Sequence, residues 1–118
     1  MKTSSAKAKG RKACKLVQEL FYKHIPYLKP GDIEVTSSGA TGEDLKLSPL
    51  AREYLPFVIE CKNQESINIW AAYEQAEQHG KDNQELIPIV FYKRNRSQLM
   101  VTLSADDFMY LMEFGDKL

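Results

Sequence analysis

Pro56 followed by Phe57-Val58-Ile59-Glu60-Cys61-Lys62 is the clearest strand in the chain, and it limits what can surround it. Side chains alternate between faces along a strand, so Phe57, Ile59 and Cys61 share one face and Val58, Glu60 and Lys62 the other. The first set is apolar and suits a core. The second places a carboxylate and an ammonium side by side at the strand end. Burying such charges without partners is costly, so a core strand carries them only where something compensates them.

The rest of the pattern supplies what packs against this strand. A chain of 118 residues builds one domain and not two. Residues 1–9 are small, polar and basic and read as a flexible basic arm, which leaves residues 10–118 as the single domain. From Gly10 the pattern is helical, with Ala13, Val17, Leu20, Phe21 and His24 on one stripe, and Pro26 and Pro30-Gly31 stop it. Residues 32–36 alternate as a strand, Ser37 to Gly42 form a small flexible loop, and residues 44–47 a short strand. Ser48-Pro49 opens a short helix, with Ser48 as its cap. Ser66 to His79 is a helix closed by Gly80, with Ile69, Ala72, Tyr73 and Ala76 buried. Leu86 to Tyr92 is a nearly continuous apolar run, a strand covered on both faces. Residues 93–97 turn the chain and 98–103 return as a strand. A last helix starts at Ser104, with Phe108, Leu111 and Met112 as its apolar side. The expected fold is α/β, a mixed central sheet flanked by helices.

Composition narrows the function classes. Hydrophobic residues make up 43% and charged residues 27%, an ordinary globular balance. No apolar run is long enough to span a bilayer, and no apolar block follows the basic start, so a cytoplasmic protein is expected. Cys14 and Cys61 form no CxxC and no Cys/His ligand spacing; neither a disulfide nor a structural zinc site is expected. Net charge is zero, yet the charges segregate. Lys2, Lys7, Lys9, Arg11, Lys12 and Lys15 open the chain without an acid among them, and Lys93, Arg94 and Arg96 form a second basic group. Either group is a solvated surface or a face that meets phosphates.

A Glu-x-Lys match alone is cheap, and Asp44-Leu45-Lys46 matches it too. The chemistry comes from the set. A neighbouring strand can bring Asp44, sixteen positions before Glu60, beside the Glu60 carboxylate. Two adjacent carboxylates repel each other and invite a hard divalent cation such as Mg²⁺. The cation polarises a phosphate and lowers the pKa of water, and Lys62 is placed to orient that water or neutralise developing charge. No Ser-His-Asp arrangement competes, and Gly39-Ala40-Thr41-Gly42 lacks the lysine of a phosphate-binding loop.

On these residues the chain resembles the PD-(D/E)XK nuclease superfamily, and within it the small Holliday-junction resolvases of archaea and certain phages. The likeness runs through Lys9-Gly10-Arg11-Lys12, the helix segment Lys15-Leu16-Val17-Gln18-Glu19-Leu20, the loop Thr36-Ser37-Ser38-Gly39, Gly42-Glu43-Asp44, Leu47-Ser48-Pro49 and Glu60-Cys61-Lys62-Asn63-Gln64. The stretch from Ser38 to Gln64 is similar to the phage branch in particular.

The resemblance implies a restriction-endonuclease-like core and a homodimer that hydrolyses phosphodiesters in four-way DNA junctions, in a bacterial or archaeal cell or encoded by a phage. It implies that Asp44, Glu60 and the backbone carbonyl of Cys61 bind Mg²⁺, with Mn²⁺ able to substitute. Lys62 assists the attacking water, Glu19 acts on the metal through water, and Ser37 or Ser38 touches the DNA backbone. No proline directly precedes Asp44, which leaves Asp32, after Pro30-Gly31, as its rival. Asp44 is preferred because its distance to Glu60 fits the family.

Lys9, Arg11, Lys12, Arg52, Lys93, Arg94 and Arg96 are the expected phosphate contacts. Gln75, on the helix after the motif strand, is a candidate auxiliary residue. His24 and His79, at helix carboxyl ends, read as structural, and Trp70 as a core or interface anchor. The dimer surface is expected on the helix from Ser66 or the strand from Leu86. No membrane partner and no small-molecule cofactor is expected. Two other readings keep the residues and change the role: a nicking, repair or restriction-type nuclease, or a non-catalytic nucleic-acid-binding module in which Glu60 and Lys62 are an ion pair.

Overall fold

The computed structural model describes residues 3–36, 44–83 and 85–116. Nine elements follow in order: α1 (Thr3–His24), β1 (Ile33–Val35), β2 (Leu45–Leu47), α2 (Pro49–Tyr54), β3 (Phe57–Asn63), α3 (Ile69–His79), β4 (Ile87–Lys93), β5 (Met100–Thr102) and α4 (Ala105–Asp116). The architecture is a compact α/β fold with a mixed sheet flanked by helices. β3 and β4 pair in parallel, with Glu60 opposite Val90 and Cys61 opposite Phe91, and β5 adds antiparallel to β4. β1 and β2 form an antiparallel pair of their own.

Each face of the sheet has its own cover. Phe57, Ile59 and Cys61 point with Ile89 and Phe91 into the main core, against Ala13, Cys14 and Val17 of α1. Val90 meets Ala72 and Ala76 of α3 on the opposite face. The alternation read from β3 therefore holds, and the apolar run of β4 is explained by cover on both sides. Gly80, which caps α3, shows how close that cover lies. A Cβ added there would come within 2.7 Å of Cγ2 of Val58, which is itself fully buried.

Local capping follows the sequence. The Ser48 hydroxyl accepts from the Ala51 amide at 3.1 Å and Ser104 from Asp107 at 3.0 Å. Other expectations need correction. α1 starts at Thr3, not Gly10, so the arm over residues 1–9 is helical from Thr3 onward. Once a helix is nucleated, alanines and lysines extend it at little cost. On α1 the buried stripe is Ala13, Cys14 and Val17, with Leu20 and His24 exposed. α3 begins at Ile69 because the Asn68 side chain accepts from the Ala71 amide at 3.0 Å and caps the helix there. Among the described side chains of α4 Leu111 packs on the core, while Phe108, Met109, Tyr110 and Met112 are exposed. No described helix is long and apolar enough to cross a membrane.

Candidate active site

The site is assembled where β2 meets the edge of β3. The Asp44 amide donates to the Ile59 carbonyl at 3.3 Å, and the Asp44 carbonyl accepts from the Thr36 amide at 3.1 Å. Where a regular ladder would continue, the Asp44 side chain intervenes: its Oδ2 accepts from the Cys61 amide at 2.7 Å. In a strand the N–H and C=O of one residue face the same edge, so Ile59 and Cys61 address Asp44 while Glu60 and Lys62 address β4. The Cys61 carbonyl is thereby turned to the Asp44 side.

Glu60 lies on the α3 face and is only 4% exposed. Lys62 Nζ stands 3.5 Å from its Oε1, and His79 Nδ1 3.3 Å from its Oε2. The histidine contact is close but not aligned as a hydrogen bond, so Oε2 remains a buried oxygen without a hydrogen-bond partner. Burial, and then the neighbouring Asp44 carboxylate, push Glu60 up to about 7; Lys62 pulls the other way without prevailing. A carboxylate pair with one orphaned buried oxygen fits a hard divalent cation, which would relieve both the repulsion and the missing contact.

Asp32, the rival of Asp44, is engaged away from Glu60. Its carboxylate accepts from the Lys29 amide at 2.6 Å and the Ser48 hydroxyl at 2.8 Å, tying the turn before β1 to the start of α2. Those two bonds hold it below the usual carboxylate range. Glu19 is exposed and is not among the charges that act on Glu60. Five residues beyond Cys14, it is turned about 140° from the inward face of α1. Gln18 is nearer that face and donates to the Ile33 carbonyl at 2.7 Å. Gln75 is exposed and lines a groove that also includes His79, the α3 residue that reaches Glu60.

The basic residues divide into two groups. Arg52 donates to the Phe57 carbonyl at the opposite end of β3 from Lys62. The other expected contacts converge on the Lys62 end. Asn63 donates to the Lys9 carbonyl at 3.1 Å, which brings the Lys9 turn of α1 to that end of the strand, with Arg11 and Lys12 exposed in the following turn. Lys93 lies opposite Asn63 in the β3–β4 register, and its carbonyl accepts from the Gln64 amide at 3.1 Å. Beyond it Arg94 and Arg96 are exposed on a turn closed by Ser97, with Arg96 in the left-handed region at φ 63°. A groove of about 460 Å³ runs beside this turn, lined in part by Gln64, Lys93, Arg94 and Gln98. Ser37 and Ser38 lie outside the described residues.

Two features escaped the sequence reading. The first is His79, whose place follows from matched lengths. α3 descends roughly 16 Å over its eleven residues, about the span of β3 from Asn63 back to Val58. The second is a side-chain cluster. The sulfurs of Cys14 and Cys61 and a carboxylate oxygen of Asp44 all lie within 4.8 Å of one another, contrary to the expectation of no ligand cluster at the cysteines. Nothing in local spacing announces it, since α1 and β3 meet only through the tertiary fold. Comparison with protein-family models, curated proteins and solved structures gave no match in any of the three.

Proposed function

We propose that this chain is a metal-dependent DNA endonuclease with a restriction-endonuclease-like core that resolves four-way junctions as a homodimer. The observation that carries the reading is the approach of Asp44 to Glu60, with Lys62 beside them, at the strand end where two basic groups converge. Asp44, Glu60 and the Cys61 carbonyl would hold Mg²⁺, with Mn²⁺ as a substitute. Bound there, the cation would polarise the scissile phosphate and acidify a water.

The chain's own residues complete the chemistry. The Cys61 amide orients the Asp44 carboxylate through its hydrogen bond. Lys62, beside Glu60, is placed to neutralise charge that develops on the phosphate during attack. His79 stands behind Glu60 and restricts its rotation. Lys9, Arg11, Lys12, Lys93, Arg94 and Arg96 grip the phosphates on either side of the cut. Glu19 is left out of the metal set because α1 turns it away from the pair.

The dimer reading is supported by exposed apolar surface, which includes Trp70 on the expected helix, α3, and extends to β5 and α4. β4, the other expected place, is the middle strand, with Val90 and Phe91 buried and only Pro88, Tyr92 and Lys93 partly exposed. Trp70 is 81% exposed and Met109 64%, with Met100, Val101, Phe108 and Tyr110 also exposed around the free edge of β5 and along α4. Such side chains together present an area on the order of the 800 Å² that one partner brings to a standard interface. A second copy is the occupant that suits a two-fold substrate.

Glu60→Gln tests the assignment. Mg²⁺-dependent cutting of a synthetic four-way junction falls by at least about 100-fold, while junction binding survives. Unchanged cutting would falsify the active site. Equal cutting of matched linear duplex at the same salt would remove the junction preference and leave a nicking, repair or restriction-type nuclease.

A further inference from the structure

We infer that Cys14, Cys61 and Asp44 form a second cation site, selective for a soft divalent ion such as Zn²⁺, on the face of β3 opposite Glu60. The three donor atoms come from α1, β3 and the segment entering β2, and they lie within 4.8 Å of one another. Two sulfurs on one tetrahedral zinc stand about 3.8 Å apart, given Zn–S bonds of about 2.3 Å, so side-chain adjustments on the order of 1 Å close the site.

The donor set decides the ion. Two thiolates favour zinc over magnesium, which takes oxygen ligands almost exclusively. Both cysteines are buried while Asp44 is half-exposed, so an ion enters past the carboxylate and a water can fill the fourth position. The Cys61 amide already orients Asp44 through the 2.7 Å bond. On binding, each thiol releases its proton to solvent as its sulfur takes the cation, and no electrons move.

Asp44 belongs to both sites. At the edge of β3 the Asp44 carboxylate lies beside the sulfurs of Cys14 and Cys61 while its charge acts on Glu60. A soft ion held by the cysteines therefore draws Asp44 away from the Asp44–Glu60 pair. Zinc then inhibits the cutting proposed above by competing for Asp44. That consequence rests on the nuclease reading, whereas the cation site stands on geometry alone.

Cobalt titration of the reduced, metal-free chain tests the site without any activity. Co²⁺ should produce a thiolate-to-cobalt charge-transfer band that stoichiometric Zn²⁺ abolishes. The band should persist in Glu60→Gln and vanish in both Cys14→Ala and Cys14→Ser, each checked for cooperative unfolding. Zinc affinity should fall in these variants by at least about 100-fold, more than the loss of an outer-shell partner costs. Absence of the band from the native chain, or a band unchanged in folded Cys14→Ala, overturns the inference. In a junction-cutting assay at fixed Mg²⁺, the zinc concentration that halves activity should rise at least tenfold in Cys14→Ala; an unchanged value overturns the competition for Asp44. A chain that cuts no DNA but shows the band keeps the cation site and loses the nuclease reading.

Discussion

Replacing Glu60 by glutamine should stabilise the metal-free protein, and the gain should grow with pH. In the folded chain Glu60 is raised from 4.5 to about 7 by burial and by Asp44. The folded state thus holds the Glu60 proton more tightly than the unfolded state does. Stability contributed by that proton is complete below about 4.5 and is lost as pH rises through about 7. At about 1.4 kcal/mol per pH unit, the interval corresponds to about 3 kcal/mol. A neutral amide of the same shape carries no such penalty, so at pH 8 the variant should exceed the native chain by up to about 3 kcal/mol, or roughly 10 °C in Tm for a domain of this size. At pH 4 the two should nearly coincide. Thermal unfolding from pH 4 to 8 in chelator, followed by circular dichroism, measures this directly. Added Mg²⁺ at pH 8 should then raise the native midpoint and leave the variant unmoved. A pH-independent offset, or a variant less stable at pH 8, would refute the claim that burial and the Asp44 charge hold Glu60 in an unfavourable ionised state.

Two glycines should respond to alanine with opposite signs. Gly10 lies within α1 with open space around its Cβ position, so Gly10→Ala should stabilise by about 0.5–1 kcal/mol in urea unfolding. Gly80→Ala drives a methyl against buried Val58 and should cost about 1–3 kcal/mol in the same assay. Alanine at Lys93, Arg94 or Arg96 should weaken junction binding and lower the salt dependence by about one phosphate contact each, read by fluorescence anisotropy across salt concentrations. Met109→Lys should convert the proposed dimer to a folded monomer in sedimentation velocity; a native chain that is already monomeric removes the proposed interface.

Most elements were legible because their signals are local. The alternation of Phe57 to Lys62, the cap at Ser48 and the start at Ser104 each depend on residues within a turn or two of chain, and all three hold in the structure. Glu60 and Lys62 could be placed on one face for the same reason. Helix starts were less legible. Asn68 outcompeted Ser66 as a cap, and α1 continued past Gly10 toward the amino-terminus, because several nearby residues can serve and the packed helix selects among them. α4 looked amphipathic but left most of its apolar residues exposed, since periodicity tells which side chains share a face and not whether a partner covers it.

The sequence by itself determined the strand that carries Glu60-Cys61-Lys62, the split of its side chains between two faces and the α/β order of elements, because each follows from backbone geometry acting over a few residues. Only the tertiary structure decided what those side chains meet. It bonded Asp44 to the Cys61 amide and Asp32 to Lys29 and Ser48, set His79 behind Glu60 and turned Glu19 outward. It also brought Cys14 to Cys61 across 47 positions of chain. These are contacts between elements, created by burial of the two sheet faces, and no local periodicity encodes them.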